Sequence, residues 1–297
     1  MSVVLLVLPD FLLVALGWLL RHKLGFSREF FSGCERLVYF VMFPALLMTS
    51  IMRTPISLGS AALILQASLL LMLATVVVAW LAKPVLKPTS IAMASAAQCG
   101  FRFNTYLGLA LSASLGGATG QTTMALVIGF AVPVANFAAV YGLARHNGGN
   151  VLWELAKNPL VVSTLLALSA NLAGLQLPVP VDTFLTRLGA AAIALGIICV
   201  GAALSWDGGR GHGKLLSWML VTKLAVMPAM ALGIGYALDL PKIDHQMLVL
   251  FGALPCASAA YVLAMRMGGD GRMVAVLISI GTAVSAVSIP FWLAWIS

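Results

Sequence analysis

The sequence predicts an all-α membrane protein: ten transmembrane helices in a five-plus-five inverted repeat, with broken, crossing fourth and ninth helices. Three observations carry the class. Hydrophobic residues make up 61% of the 297-residue chain and charged residues only 9%, against about 45–50% and about 25% in soluble domains. So few charges cannot cover a water-soluble surface of this length, and lipid must solvate most of it. Cutting the chain at clusters of charge, Gly and Pro leaves ten apolar runs, most near the about 17–25 residues that a spanning helix needs. The basic residues, finally, alternate between the two sides of those runs as membrane topology requires.

The runs cover 3–20, 34–52, 59–82, 90–115, 122–144, 159–177, 184–205, 214–238, 245–266 and 273–296. No basic residue precedes the first run, whose first positive charge is Arg21. A secretory signal carries its charge before the apolar stretch, so this run reads as a retained span. Arg21, His22, Lys23 and Arg28 separate it cleanly from the second. The fourth and ninth runs are the least regular.

With the N-terminus outside, the inner loops hold Arg21, Lys23, Arg28, Arg36, Lys83, Lys87, Arg145, Lys157, Arg210, Lys214, Arg266 and Arg272. The outer loops and ends hold Arg53, Arg187 and Lys242, and Arg102 and Lys223 fall within spans. That division, 12 inside, 3 outside and 2 within spans of the 17 Lys and Arg, places both termini outside. It also explains the net charge of +8 without nucleic acid as a partner. The longest inner connection divides the chain into residues 1–145, a cytoplasmic loop at 146–158, and residues 159–297. Five spans on each side of one loop give halves of opposite orientation. Arg36-Leu37 and Arg187-Leu188 at the second and seventh spans, and Pro133 and Pro290 in the fifth and tenth, echo one another weakly, as inverted repeats do.

Transporters place their sites near the midplane, at helices interrupted by Gly, Pro or polar residues. The fourth span carries Gln98, Gly100, Arg102, Asn104 and Gly108 within eleven residues. A mid-membrane arginine costs about 2.5–3.5 kcal/mol on insertion scales and needs a partner, a cavity or a ligand. In the ninth span, Pro255 removes a backbone donor, and Ser258 is placed to re-satisfy a freed group. If both spans unwind, two half-helix N-termini aim positive dipole ends at one cavity, which suits an anion. Lys223 lies about nine residues into the eighth span, within snorkelling reach of the inner interface. Pro44, Pro133, Pro228 and Pro290 read as plain kinks. All nine acidic residues and all four histidines lie in loops or near span ends, so the membrane interior holds two cations without a counter-ion. Cys34, Cys99, Cys199 and Cys256 show no CxxC spacing, so neither a metal site nor a cofactor is expected.

Several stretches resemble the auxin efflux carrier family, which includes bacterial malonate-type permeases and plant auxin exporters. Glu35-Arg36-Leu37-Val38-Tyr39-Phe40-Val41-Met42-Phe43-Pro44 resembles its second span, and Phe101-Arg102-Phe103-Asn104-Thr105-Tyr106-Leu107-Gly108 its fourth. Lys157-Asn158-Pro159-Leu160 resembles the start of its sixth. Leu254-Pro255 through Tyr261-Val262-Leu263-Ala264 to Met267-Gly268-Gly269-Asp270 resembles its ninth. Order and spacing agree over nearly the whole chain. The resemblance implies crossed, broken fourth and ninth helices and elevator-like alternating access. Spans one, two, six and seven would form a scaffold, with a homodimer through it. Asn104 and Pro255 carry over directly. The family often has proline before that asparagine; here Phe103 stands there, so the crossover would rest on Gly100, Gly108 and the polar side chains. The short 146–158 loop fits a bacterial inner-membrane protein.

The function that follows is a carrier of a small organic anion, a mono- or dicarboxylate or auxin-like acid. Arg102, Asn104, Gln98, Ser258 and Lys223 would bind it, and Gly100, Gly108 and Pro255 would form the hinge. Two other transport readings remain: a sodium-coupled bile-acid-type symporter, which would need acidic groups near the crossover, and a channel. An intramembrane enzyme would need a base beside Ser258, and its span holds no histidine or carboxylate.

Overall fold

The computed structural model describes residues 3–53, 58–144, 159–205, 211–257 and 259–296. Among the described residues every regular element is helical. The first half contains α1 (Val3–His22), α2 (Arg28–Arg53), α3 (Leu58–Trp80), α4 (Ser90–Phe101) and α5 (Thr105–Ala144). The second contains α6 (Pro159–Leu172), α7 (Val179–Ala203), α8 (Gly213–Ala237), α9 (Lys242–Ala253), α10 (Ala259–Arg266) and α11 (Gly271–Leu293). A short helix, Ala82–Leu86, extends α3.

Six stretches among the described residues are long and apolar enough to cross a membrane: Arg28–Arg53, Ala62–Leu86, Ser90–Ala139, Val179–Ala203, Gly213–Ala237 and Gly271–Leu293. The chain is therefore an all-helical integral membrane protein. At about 1.5 Å per residue, the 50 residues of Ser90–Ala139 exceed twice the about 30 Å hydrocarbon core. That stretch is interrupted at 102–104 and turns at Gly117, whose φ of 58° is open to glycine without a side-chain penalty.

Capping residues set several boundaries that apolar periodicity misses. Ser27 accepts the Phe30 N–H at 3.1 Å and starts α2 six residues earlier than expected. Glu35, expected at the mouth of that span, consequently lies inside the helix. Pro178 and Pro180 start α7 five residues early, as proline at a helix N-terminus does. Thr89 caps α4 and Asp270 caps α11. The Arg145–Asn158 connection lies outside the described residues.

Helices α1, α2, α6 and α7 pack mainly on one another, and α3, α4, α5 and α8–α11 do likewise. Close backbone approach organises the first group. A Cβ on Gly17 would stand 1.9 Å from the Ile198 carbonyl oxygen, and one on Gly201 would stand 1.8 Å from that of Val14. Small residues let membrane helices gain van der Waals contact where no hydrophobic driving force exists between them. At one end of this group Arg53 pairs with Asp182 and donates to Thr186 Oγ1 at 2.8 Å. Beside it, Asn171 Nδ2 donates to the Ile51 carbonyl at 2.8 Å, covering the open end of α2. The second group holds the densest core, including Phe101, Leu107, Leu248, Phe251 and Leu254, all fully enclosed.

Gly201→Ala should lower the melting temperature of the detergent-purified protein, since overpacking costs about 1–3 kcal/mol. Gly33→Ala, whose Cβ would meet nothing within 4 Å, should leave it unchanged or raise it slightly. Equal melting of both variants would contradict the α1–α7 contact.

Candidate functional site

The two interruptions have different causes. Leu254 leaves the helix at φ −58°, ψ 139°, the conformation that a following proline imposes. Pro255 also offers no N–H to the Phe251 carbonyl. Residue 102 has no proline after it, yet Arg102 is extended at φ −70°, ψ 152°. Here the restart dictates the stop: Asn104 Oδ1 accepts the N–H groups of Tyr106 at 3.0 Å and Leu107 at 3.2 Å. Asn104 is thus the N-cap of α5. Gly100 and Gly108, expected at the hinge, both lie within regular helix. Each admits a neighbour instead. A Cβ on Gly100 would stand 3.0 Å from Ala79 Cβ, and one on Gly108 2.9 Å from Leu254 Cδ1.

The interruptions meet. The Asn104 N–H donates to the Pro255 carbonyl at 2.8 Å, and the Phe103 and Phe251 rings pack edge to face at 4.6 Å between centroids. Phe103 thereby fills the crossing with an aromatic contact. Gln98, Arg102, Asn104 and Pro255 are brought to this one place. Ser258 lies outside the described residues.

Both cations are turned inward. Arg102 is 8% exposed, and its Nη2 donates to Asn136 Oδ1 at 2.5 Å, while Nε has no partner in the protein. Lys223 is 3% exposed and does not snorkel. Its Nζ donates to the Gly252 carbonyl at 3.2 Å and lies 2.9 Å from Met227 Sδ. The ammonium therefore covers one of the carbonyls left open at the C-terminus of α9, where a cation is favoured. Among the described residues no carboxylate pairs with either cation; the ion pair present is Arg53–Asp182.

Lys223 sits in a π-helical turn, Thr222–Val226, just before Pro228. Proline at 228 frees the Leu224 carbonyl four residues earlier, and Trp292 Nε1 donates to that oxygen at 2.8 Å. A second π turn, Val38–Met42, precedes Pro44 and carries Tyr39. Pro44 and Pro228 thus follow π turns that bear on the site, beyond the plain kinks expected of them. Such turns recur at functional positions.

A cavity of about 60 Å³ opens at the crossing. Asn104, Thr105 and Tyr106 line it from the start of α5, Ala257 and Ala259 from the start of α10, and Tyr39 and Phe43 from α2. Two helix N-termini therefore border one small space, an arrangement that favours negative charge. Asn104 Nδ2, and in the last turn of α4 both amide atoms of Gln98, are buried without a partner in the protein. Such orphaned groups cost about 1–3 kcal/mol each unless something binds them. Among the described residues no cluster of three or more metal-ligating side chains occurs. Sequence reasoning missed Asn136 and Tyr39. Asn136, a single amide in the fifth apolar run, was the visible signal for Arg102's partner.

A family model described as Membrane transport protein matches residues 143–293, just over half of the chain. An "Uncharacterized transporter" of Methanothermobacter thermautotrophicus is 26% identical over 303 residues, covering 96% of each chain. A "Putative malonate transporter" of Rhizobium meliloti is 22% identical over 299 residues, covering 96% of this chain and 92% of that one. The Escherichia coli "Uncharacterized transporter YfdV" is 25% identical over 149 residues, 50% of this chain and 47% of that protein.

Asn104→Ala removes the cap of α5 and should cost about 0.5–2 kcal/mol, read as a lower melting temperature. Asn104→Asp keeps an accepting oxygen and should melt close to the parent protein. If both variants melt alike, the capping role is refuted.

Proposed function

The chain belongs to the Membrane transport protein family, that of the auxin efflux carriers, and on that premise we propose that it carries a small carboxylate across the membrane. The observation supporting this substrate class is the pair of buried cations, Arg102 and Lys223, with no acidic partner among the described residues. A mid-membrane charge is expensive, and an anionic substrate offsets that cost whenever it binds. Arg102 Nε, Asn104 Nδ2 and the Gln98 amide supply free hydrogen-bonding groups. In this reading Ser258 adds a hydroxyl, and Pro255 keeps the ninth span from closing into helix. Two cations suit two carboxylates better than one, in keeping with the malonate named for the Rhizobium relative.

Ten spans in two inverted halves, 1–145 and 159–297 joined by the 146–158 loop, accommodate the helices described, with α9 and α10 together making one broken span. Helices α1, α2, α6 and α7 act as the scaffold, and the other group carries the crossing past it. The cavity wall supports this division: Tyr39 and Phe43 belong to the first group, and Asn104 to Tyr106, Ala257 and Ala259 to the second. Sliding one group along the other opens the wall without breaking the crossing. At about 60 Å³, the cavity is far below the about 300–1,000 Å³ of ligand pockets, so binding a dicarboxylate would require the two groups to part. The positive-inside distribution supports a reading with both termini outside a bacterial inner membrane, and in this reading the scaffold serves as the dimer surface.

Counterflow in proteoliposomes tests the assignment. A charge-assisted hydrogen bond is worth about 1.5–3 kcal/mol, so Arg102→Gln should reduce malonate exchange about tenfold to a hundredfold. Asn104→Ala should reduce it as well. Lys223→Met, checked first for an intact melting transition, should shift preference from dicarboxylates to monocarboxylates. Full exchange in both Arg102→Gln and Asn104→Ala would sink the proposal.

A further inference from the structure

A second, larger concavity lies away from the crossing. It measures about 1150 Å³ and runs between α3, the start of α4, the last turns of α5 and the 267–269 turn. Its walls are apolar, with Leu73, Ile91 and Phe137 each at least half exposed. At its end stand Trp80, Tyr141 and Lys83. The floor is fixed, because the Asp270 N–H donates to Ser95 Oγ at 2.8 Å and ties the turn to α4. Lys83 is exposed and makes no ion pair among the described residues.

The occupant must match a long apolar trough that ends in one unpaired cation. A small hydrophilic anion matches only the end, and a neutral lipid only the trough. The volume also exceeds the about 300–1,000 Å³ typical of small-molecule pockets. Aromatic residues beside a basic one mark the headgroup level of a bilayer, and basic pockets between membrane helices hold anionic headgroups. We propose that this groove is a binding site for an anionic phospholipid, its acyl chain along Leu73, Val76 and Phe137 and its phosphate on Lys83. All the lining comes from α3 and the short helix after it, α4, α5 and the turn before α11, so the lipid seats on one helix group and does not bridge the two. The site is independent of the carboxylate reading.

Native mass spectrometry and melting curves decide it, with the purified protein in mixed micelles holding either phosphatidylglycerol or phosphatidylcholine of the same chains. The parent protein should retain one phosphatidylglycerol and melt several degrees higher with it than with phosphatidylcholine. Lys83→Gln, at an exposed position, should abolish that preference without changing the lipid-free melt. Ala138→Trp, which fills the groove, should abolish retention of both lipids. Equal retention of the two lipids by the parent protein overturns the proposal. So does unchanged phosphatidylglycerol retention in both Lys83→Gln and Ala138→Trp.

Discussion

The hydrogen bond from the Asn104 N–H to the Pro255 carbonyl joins the two interrupted helices at their crossing. A helix interrupted inside a bilayer exposes backbone groups that lipid cannot satisfy. Here two interrupted helices satisfy part of that need with each other. The remaining open groups are met by side chains from elsewhere: Asn104 Oδ1 at the start of α5, Lys223 at the end of α9, and Trp292 at the π turn of α8. Removing any of these leaves a buried polar group unpaired, at about 1–3 kcal/mol. The crossing is therefore held by the two broken helices together with side chains from α8 and α11.

That construction sets the electrostatics. Both breaks end one helix and begin another, and the starts of α5 and α10 border the cavity, where positive helix ends favour an anion. Lys223 serves twice, as the cap of α9 and as one of two unneutralised charges near the crossing. Arg102 is held by a neutral amide, Asn136, which orients the guanidinium without cancelling its charge. A carboxylate in place of Asn136 would have cancelled the Arg102 charge and left Lys223 alone unneutralised.

Much of this was legible in the chain. Lipid as solvent followed from 9% charged residues. The irregular fourth and ninth runs were visible because Arg102, Asn104 and Pro255 cannot continue an apolar helix cheaply. Other features were hidden for physical reasons. Gly100 and Gly108 stand out in the sequence because glycine lowers helix propensity; only packing shows that each also makes room for a neighbour. The early starts of α2 and α7 come from Ser27 and Pro178, local caps that a hydropathy window averages away. Asn136 and Tyr39 reach the site through tertiary contact, which no spacing rule encodes. Lys223 turns inward because the end of α9 offers it a carbonyl, which only the packing of α9 against α8 shows.

In the proposed function the uncompensated positive charge at the crossing binds a carboxylate. The most direct measurement compares malonate with malonamide, its neutral diamide of nearly equal shape, for the shift each produces in the melting temperature of the purified protein. Any ligand that binds only the folded state stabilises it by mass action. Malonate should produce a concentration-dependent rise and malonamide none, and the rise should be lost in Arg102→Gln. Equal stabilisation by the two compounds, or a malonate effect untouched by Arg102→Gln, would contradict that function.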